Sequence, residues 1–113
     1  MTSACQSEAS VVLALTTEAD APRAEALARL LLDQGLAACV SLRPVQSLYH
    51  WQGNLESSSE VELLIKTSSE QLQALERLIH ENHSYELPEW LHWPVNSSPG
   101  YGRWLQGELK AAG

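Results

Sequence analysis

The sequence is poor in several features, and each shortage disfavours a class of protein. Lysine and arginine number seven against fourteen acidic residues, which gives a formal charge of −7 over 113 residues. Nucleic-acid binding needs a concentrated positive surface, so this composition disfavours it. No apolar run reaches the roughly 18 residues of a membrane helix, and the first ten residues lack the features of a signal peptide. We therefore expect a cytoplasmic protein with no nucleic-acid or membrane partner.

Cysteine is also scarce, and phenylalanine is absent. Cys5 precedes the first apolar segment and Cys39 lies in an Ala-Ala-Cys-Val run, where a thiol usually behaves as a small buried hydrophobe. A disulfide between them is not expected, and no Cys-x-x-Cys spacing or glycine-rich phosphate loop is present. Four tryptophans and three tyrosines supply all the aromatic bulk. We expect Trp90, Trp93 and Trp104 to lie in the core or in an interface.

The first half of the chain predicts a strand, a helix and a long hairpin. Residues 10–17 form a short apolar run typical of a buried strand. Asp20 is a suitable N-cap, and apolar residues at helical spacing continue until Gly35, a natural C-terminal stop. Residues 37–51 and 55–67 then predict two antiparallel arms around a Gln-Gly-Asn turn.

The second half predicts a helix, a short strand and a final helix. A break in the first hairpin arm is expected at Arg43-Pro44, because proline cannot donate to a ladder and usually marks an edge or a bulge. Thr67 or Ser68 is expected to cap the second helix. Residues 88–95 predict the fourth strand, and Ser98-Pro99 opens the last helix.

The resulting order, β-α-β-β-α-β with a C-terminal helix, is that of an α+β, ferredoxin-like fold. We expect one domain over residues 10–113, preceded by a flexible leader over residues 1–9. The hairpin arms are much longer than the usual strand of about 5 to 6 residues. One small domain cannot cover them, so strand edges and apolar side chains are expected to pair with another copy of the chain.

Five segments in order resemble the CutA divalent-cation tolerance family, which is similar in fold to the PII signalling proteins. They are LAACVSLRP (36–44), SLYHWQGNLE (47–56), EVELLIKT (60–67), HSYELPE (83–89) and YGRWL (101–105). The resemblance implies a homotrimer in which long hairpins wrap neighbouring subunits. It also implies a role in the response to copper and other divalent metal ions, with no enzymatic reaction and no required cofactor.

The resemblance further implies a ligand pocket between subunits. Its candidate residues are Tyr49, Trp51, Glu60, Lys66, Tyr85, Glu86 and Glu89. A lysine among carboxylates binds a small anion or forms an interfacial ion pair, and the ion pair is the commoner outcome. A divalent cation is the other ligand expected for this pocket.

An alternative function is direct copper binding or buffering through His83, with Glu86, Glu89 or a neighbouring subunit as further ligands. One histidine within a chain provides only a weak Cu(II) site, since transition-metal sites normally need three or four ligands. Some family members place a cysteine and a second histidine where this chain has Thr16 and Asn82. The remaining histidines are not expected to bind metal: His80 suits a helix end, His92 suits packing between tryptophans, and His50 is expected on the opposite face of the hairpin from Tyr49 and Trp51.

This chain also departs from the family beside that histidine. Family members usually have a proline after it, whereas this chain has Ser84. Proline fixes φ, so the loop is expected to be less restrained here.

Overall fold

An antiparallel sheet with three helices makes up the structure, a computed structural model that describes residues 11–110. Its strands are β1 (Val11–Glu18), β2 (Cys39–Trp51), β3 (Asn54–Ser68) and β4 (Leu91–Pro94), and its helices are α1 (Ala21–Asp33), α2 (Leu72–Asn82) and α3 (Pro99–Glu108). The strands lie in the order β2-β3-β1-β4, so the predicted α+β, ferredoxin-like fold is confirmed. The predicted leader and Cys5 lie outside the described residues.

The core lies between the sheet and the two helices α1 and α2. Apolar residues at helical spacing face the sheet, as the sequence pattern predicts. The buried members are Ala24, Leu27, Ala28 and Leu31 of α1, Leu75 and Ile79 of α2, Ala14, Leu63 and Ile65 of the sheet, and Ala37 just before β2. Trp90 packs partly buried against them. Trp93 and Trp104 are exposed in the single chain, so of the three tryptophans only Trp90 joins the core.

Helix α1 begins and ends where the sequence predicts. The Asp20 carboxylate accepts a hydrogen bond from the Arg23 backbone N–H at 2.9 Å, the expected N-cap. Gly35 follows the helix at a φ of +70°, a conformation that disfavours residues with a Cβ. A Cβ added at Gly35 would also overlap the side chain of Lys110, so both backbone and packing require glycine here.

The β2-β3 hairpin is regular along its whole length. Pairing runs without a break from Cys39 opposite Lys66 to Trp51 opposite Asn54. Both loop residues, Gln52 and Gly53, have positive φ, which is the two-residue turn that suits the twist of a hairpin. The predicted interruption at Pro44 is therefore wrong, because Pro44 stays in register. It is tolerated because β2 is an outer strand and proline can turn its missing N–H away from β3.

Two further boundaries differ from the sequence prediction. Neither Thr67 nor Ser68 caps α2: the Thr67 hydroxyl donates to the Leu36 carbonyl at 2.8 Å, and the buried Ser68 hydroxyl has no hydrogen-bond partner. A single 3₁₀ turn (Ser69–Gln71) leads into the helix instead. Strand β4 is only four residues long, because its pairing with β1 starts at Leu91. The preceding residues form a loop.

The outer half of the hairpin extends beyond the rest of the sheet. Strand β1 pairs with β3 only from Val61 to Ser68, so residues 45–60, here called the hairpin arm, form a two-stranded ribbon. This extension gives the chain its elongated dimensions of 54 × 26 × 22 Å. The hairpin arm therefore has little of its own chain to pack against.

Candidate functional site

A cleft of about 900 Å³ lies between the hairpin arm and the loop that joins α2 to β4. The loop contributes residues 84–89, and Thr17 at the end of β1 completes the lining. From the hairpin arm come Ser47, Leu48, Tyr49, Trp51 and Glu60. The alternation of side chains along β2 brings Ser47, Tyr49 and Trp51 to one face of the ribbon.

The cleft brings together all but one of the residues predicted for a ligand pocket. Tyr49, Trp51, Glu60, Tyr85, Glu86 and Glu89 line it within one chain. Lys66 lies elsewhere, at the other end of β3, where its ammonium donates to the Ser41 hydroxyl and lies 4.0 Å from Cys39 Sγ. The cleft therefore lacks the lysine on which the anion hypothesis depended.

Cys39 itself differs from the expected buried thiol. It is a free cysteine and is only partly buried. Its place on the outer strand β2 explains this, because an outer strand has a neighbouring strand on one side only.

Tyr85 and Glu60 connect the two walls of the cleft. The Tyr85 hydroxyl donates to Glu60 Oε2 at 2.7 Å, which fastens the loop to the hairpin arm. Burial raises the pKa of Tyr85 well above its ordinary range, and the carboxylate of Glu60 raises it further. Tyr85 thus remains a neutral hydrogen-bond donor to Glu60.

Glu89 adds a second carboxylate to the same cleft. Desolvation raises the pKa of Glu89, and the charges of Glu60 and Glu62 raise it further, against a hydrogen bond from Thr17 that lowers it. The residue as a whole is exposed, so the desolvation applies to its carboxylate on the cleft side. The raised pKa of Glu89 thus reflects partial removal of its carboxylate from water, together with the negative charges of Glu60 and Glu62.

The buried carboxylate of Glu18, at the end of β1, binds the loop through Ser84. Glu18 Oε2 accepts from the Ser84 backbone N–H at 2.9 Å, and Oε1 accepts from the Ser84 hydroxyl at 2.5 Å and from the Ala19 N–H at 2.9 Å. Desolvation raises the pKa of Glu18, but these hydrogen bonds outweigh it and hold the pKa below its ordinary value. Ser84 is therefore bound to Glu18 through two hydrogen bonds, whereas the absence of a proline had suggested a less restrained loop.

The comparison with known proteins now decides the family. A family model described as "CutA1 divalent ion tolerance protein" matches residues 12–108, nearly the whole described chain. The chain belongs to the CutA1 family. The family description and the names of the relatives refer to tolerance of divalent ions, and they mention no chemical reaction.

Relatives and solved structures agree with this assignment. The Divalent-cation tolerance protein CutA of Pectobacterium atrosepticum is 43% identical over 101 residues, which cover 88% of this chain and 92% of that protein. The structure of CutA from Synechococcus elongatus superposes with a TM-score of 0.88 at 41% identity, covering 90% of this chain and 92% of that one. CutA from Xylella fastidiosa gives 0.86 at 37% identity, covering 89% and 99%.

In this CutA1 family member, His83 is fully engaged inside the protein. Its Nε2 lies 2.6 Å from the Thr17 carbonyl oxygen and 3.3 Å from the Thr16 hydroxyl, while Nδ1 accepts from the Tyr85 backbone N–H at 3.0 Å. Nδ1 also lies 3.5 Å from Glu18 Oε2, so both ring nitrogens have partners within the protein. Because the Nδ1 lone pair is occupied and the side chain is fully buried, the geometry favours a bracing role. Direct copper binding by His83 stays a prediction.

The other candidate ligands are placed as follows. Asn82 donates to the Leu78 carbonyl, and His80 Nδ1 contacts the Glu76 carbonyl oxygen at 2.9 Å, as expected of structural residues at a helix end. His50 and His92 are exposed, and the His92 ring lies 6.1 Å from that of Trp90. Within residues 11–110, no three His, Cys, Asp or Glu side chains are grouped closely enough to hold a metal ion.

Sequence reasoning missed part of the cleft. Thr17, Ser47 and Leu48 were not predicted, although Ser47 shares the alternation of Tyr49 and Trp51 along β2. The role of Glu18 was also missed, since its partner Ser84 lies 66 residues away in the chain.

Among the described residues no helix is long and apolar enough to cross a membrane.

Proposed function

We propose that this protein is a non-enzymatic homotrimer of divalent-cation tolerance that binds a small ligand in the cleft between the hairpin arm and loop 84–89. The observation that carries the proposal is the hairpin arm itself, which exposes large apolar side chains on both of its faces. Leu48, Trp51 and Leu55 are 66%, 51% and 67% exposed. A monomer rarely leaves such a surface uncovered, so a second copy is the expected cover.

The sheet supports a ring of copies. Its outer strands, β2 and β4, are different, and each has one unpaired side within the chain. A contact between unlike edges is heterologous, and repeated rotation through such a contact closes a ring. Three members is the number that the family resemblance implies. The ligand-binding role draws its support from the cleft and from the likeness to PII proteins that the family resemblance implies.

Native mass spectrometry and light scattering test the assembly. The wild type should be a trimer at micromolar concentration. Leu55→Glu places a charge on the hairpin arm outside the cleft lining and should weaken the trimer by at least about tenfold, because burying an unpaired charge is costly. Leu32→Glu is the matched control, because Leu32 is also exposed but lies on α1. A monomeric wild type, or a trimer unaffected by Leu55→Glu, contradicts the proposal.

The copper alternative has a separate test. Calorimetric titration with Cu(II) compares the wild type with His83→Asn. Equal binding by both proteins removes His83 from the copper site, and loss of binding in the variant with an unchanged fold supports direct copper buffering.

A cytoplasmic location likewise stays a prediction, and fractionation of cells that express the full chain measures it.

A further inference from the structure

The loop that lines the cleft starts from a fixed base. The side chain of His83 is fully buried at the end of β1, with Nε2 2.6 Å from the Thr17 carbonyl oxygen. Ser84 is bound to Glu18 through its N–H and its hydroxyl. The ring of Tyr85 packs on that of His83, with the two centroids 5.0 Å apart. The Tyr85 hydroxyl therefore extends from a base that is firmly joined to β1.

The hairpin arm, in contrast, loses the support of the sheet at its root. Val61 is the last residue of β3 that pairs with β1, and Glu60 is the first residue beyond it. Between residues 11 and 110, the other side-chain hydrogen bonds of the arm join its own two strands, as between Tyr49 and Ser58. A two-stranded ribbon is only marginally stable on its own, so its direction depends on what holds its root. The Tyr85 hydroxyl supplies such a contact, because it donates to Glu60.

This bond acts on one face of the ribbon, close to the point where the ribbon begins. Glu60 pairs with Val45, so alternation places Glu60 on the cleft face with Tyr49 and Trp51. Asn54, beside the turn, is six residues from Glu60, which corresponds to roughly 20 Å. A swing of about 10° at the root therefore displaces the tip by roughly 3.5 Å. The core of a protein interface is packed as densely as a protein interior, so such a displacement disrupts it.

We propose that Tyr85 is a positioning residue for subunit assembly: its hydrogen bond to Glu60 sets the direction of the hairpin arm, and thereby the fit of the arm to a neighbouring subunit. This inference rests on the proposed homotrimer and assigns a residue to its formation. The exposed side chains of Leu48 and Leu55 lie beyond Glu60, so the direction of the arm decides where they meet a neighbour. Because the pKa of Tyr85 is held well above its ordinary range, its hydroxyl stays a donor at neutral pH.

Dilution of the trimer in a fixed, moderate concentration of urea, followed by sedimentation velocity, tests this role. Tyr85→Phe keeps the ring on His83 and removes only the hydroxyl. The midpoint concentration for dissociation should rise by about tenfold, since a hydrogen bond to a charged group is lost. Glu60→Gln keeps an acceptor oxygen and should retain most of the affinity, whereas Glu60→Ala should match Tyr85→Phe. Tyr49→Phe is the matched control: it removes a hydroxyl that contacts Ser58 within the arm, so the midpoint should not change.

The combined variants separate positioning from a general loss of stability. Tyr85→Phe together with Glu60→Ala should shift the midpoint no further than either change alone, because both remove the same contact. Additive shifts, or equal shifts in Tyr85→Phe and Tyr49→Phe, overturn the inference. So does a circular dichroism spectrum that changes in both Tyr85→Phe and Glu60→Ala at high protein concentration, since the bond is then needed for folding.

The wild type distinguishes failure of the inference from failure of the assembly. A trimeric wild type whose midpoint is unchanged by Tyr85→Phe overturns the positioning role and leaves the proposed trimer intact. A monomeric wild type removes the trimer, and the positioning role with it.

Discussion

Ser84 fastens the loop between α2 and β4 to the end of β1. Its hydroxyl and its N–H both bind the buried carboxylate of Glu18, and a proline at this position could supply neither bond. Ser84→Ala should lower the free energy of unfolding by about 1.5 to 3 kcal/mol, the usual value for a hydrogen bond to a charged group. Ser84→Pro should lower it further. Urea unfolding at pH 7 measures both changes.

The pH dependence of the Ser84→Ala effect identifies its cause. The hydrogen bonds depress the pKa of Glu18, so their contribution is complete above the ordinary glutamate pKa of about 4.3 and is lost as pH falls through the lower folded pKa. The difference between the wild type and Ser84→Ala should therefore shrink in acid. Ser69→Ala, at an exposed serine, is the control. A Ser84→Ala effect that stays constant down to pH 3 contradicts the role of Glu18.

At the residue scale, the sequence predicted which side chains belong to the candidate site better than it predicted which of them bind each other. Tyr85 and Glu60 were both predicted for the site, but their hydrogen bond depends on how the loop docks on the ribbon. Lys66 follows the alternation of β3, yet six residues along a strand correspond to roughly 20 Å, which separates it from Glu60. Spacing in the sequence fixes the face of a strand, and only the packing of the loop fixes which part of that face belongs to the cleft.

The junction between β3 and α2 allows a test at the scale of secondary-structure elements. Thr67 is the last but one residue of β3, and its hydroxyl connects β3 to the carbonyl of Leu36 in the segment after α1. Thr67→Val keeps the shape but leaves that carbonyl without its partner, so the unfolding free energy should fall by about 1 to 3 kcal/mol. Ser68→Ala should change it by less than about 0.5 kcal/mol, because the Ser68 hydroxyl has no partner to lose.

Thermal and urea unfolding of both variants measures this contrast. An N-cap role at Ser68 would reverse it, because loss of an N-cap typically costs about 1 kcal/mol. A large loss in Ser68→Ala with little change in Thr67→Val therefore contradicts the structure and restores the sequence prediction.

Secondary-structure elements were predicted where local chemistry decides them. Asp20 and Gly35 set the limits of α1 through hydrogen bonding and φ, which are properties of a few consecutive residues. The predicted break at Pro44 was wrong, because the effect of a proline depends on whether its strand is outer or central. That is a property of the whole sheet and not of neighbouring residues. The length of β4 is likewise set by its pairing with β1 and not by its own apolar residues.

At the scale of the whole molecule, shape and stability are connected through the hairpin arm. The radius of gyration is 15.4 Å, whereas a compact domain of about 100 residues has roughly 13 Å. An elongated chain leaves more apolar surface in water and so gains less from its own folding. The surface on the hairpin arm contributes to stability only when another subunit covers it.

Stability should therefore depend on protein concentration. For a trimer that unfolds to monomers, tenfold dilution lowers the stability by about 0.9 kcal/mol per chain, because two association steps are shared among three chains. For a domain of this size the loss corresponds to a fall in Tm of about 4 °C. Differential scanning calorimetry over a hundredfold range of concentration measures it. Leu32→Glu should leave the assembly contribution to the Tm unchanged, whereas Leu55→Glu should lower the Tm at every concentration, since its trimer is weaker. A wild-type Tm that stays constant over the range places the whole stability within the single chain and contradicts the trimer.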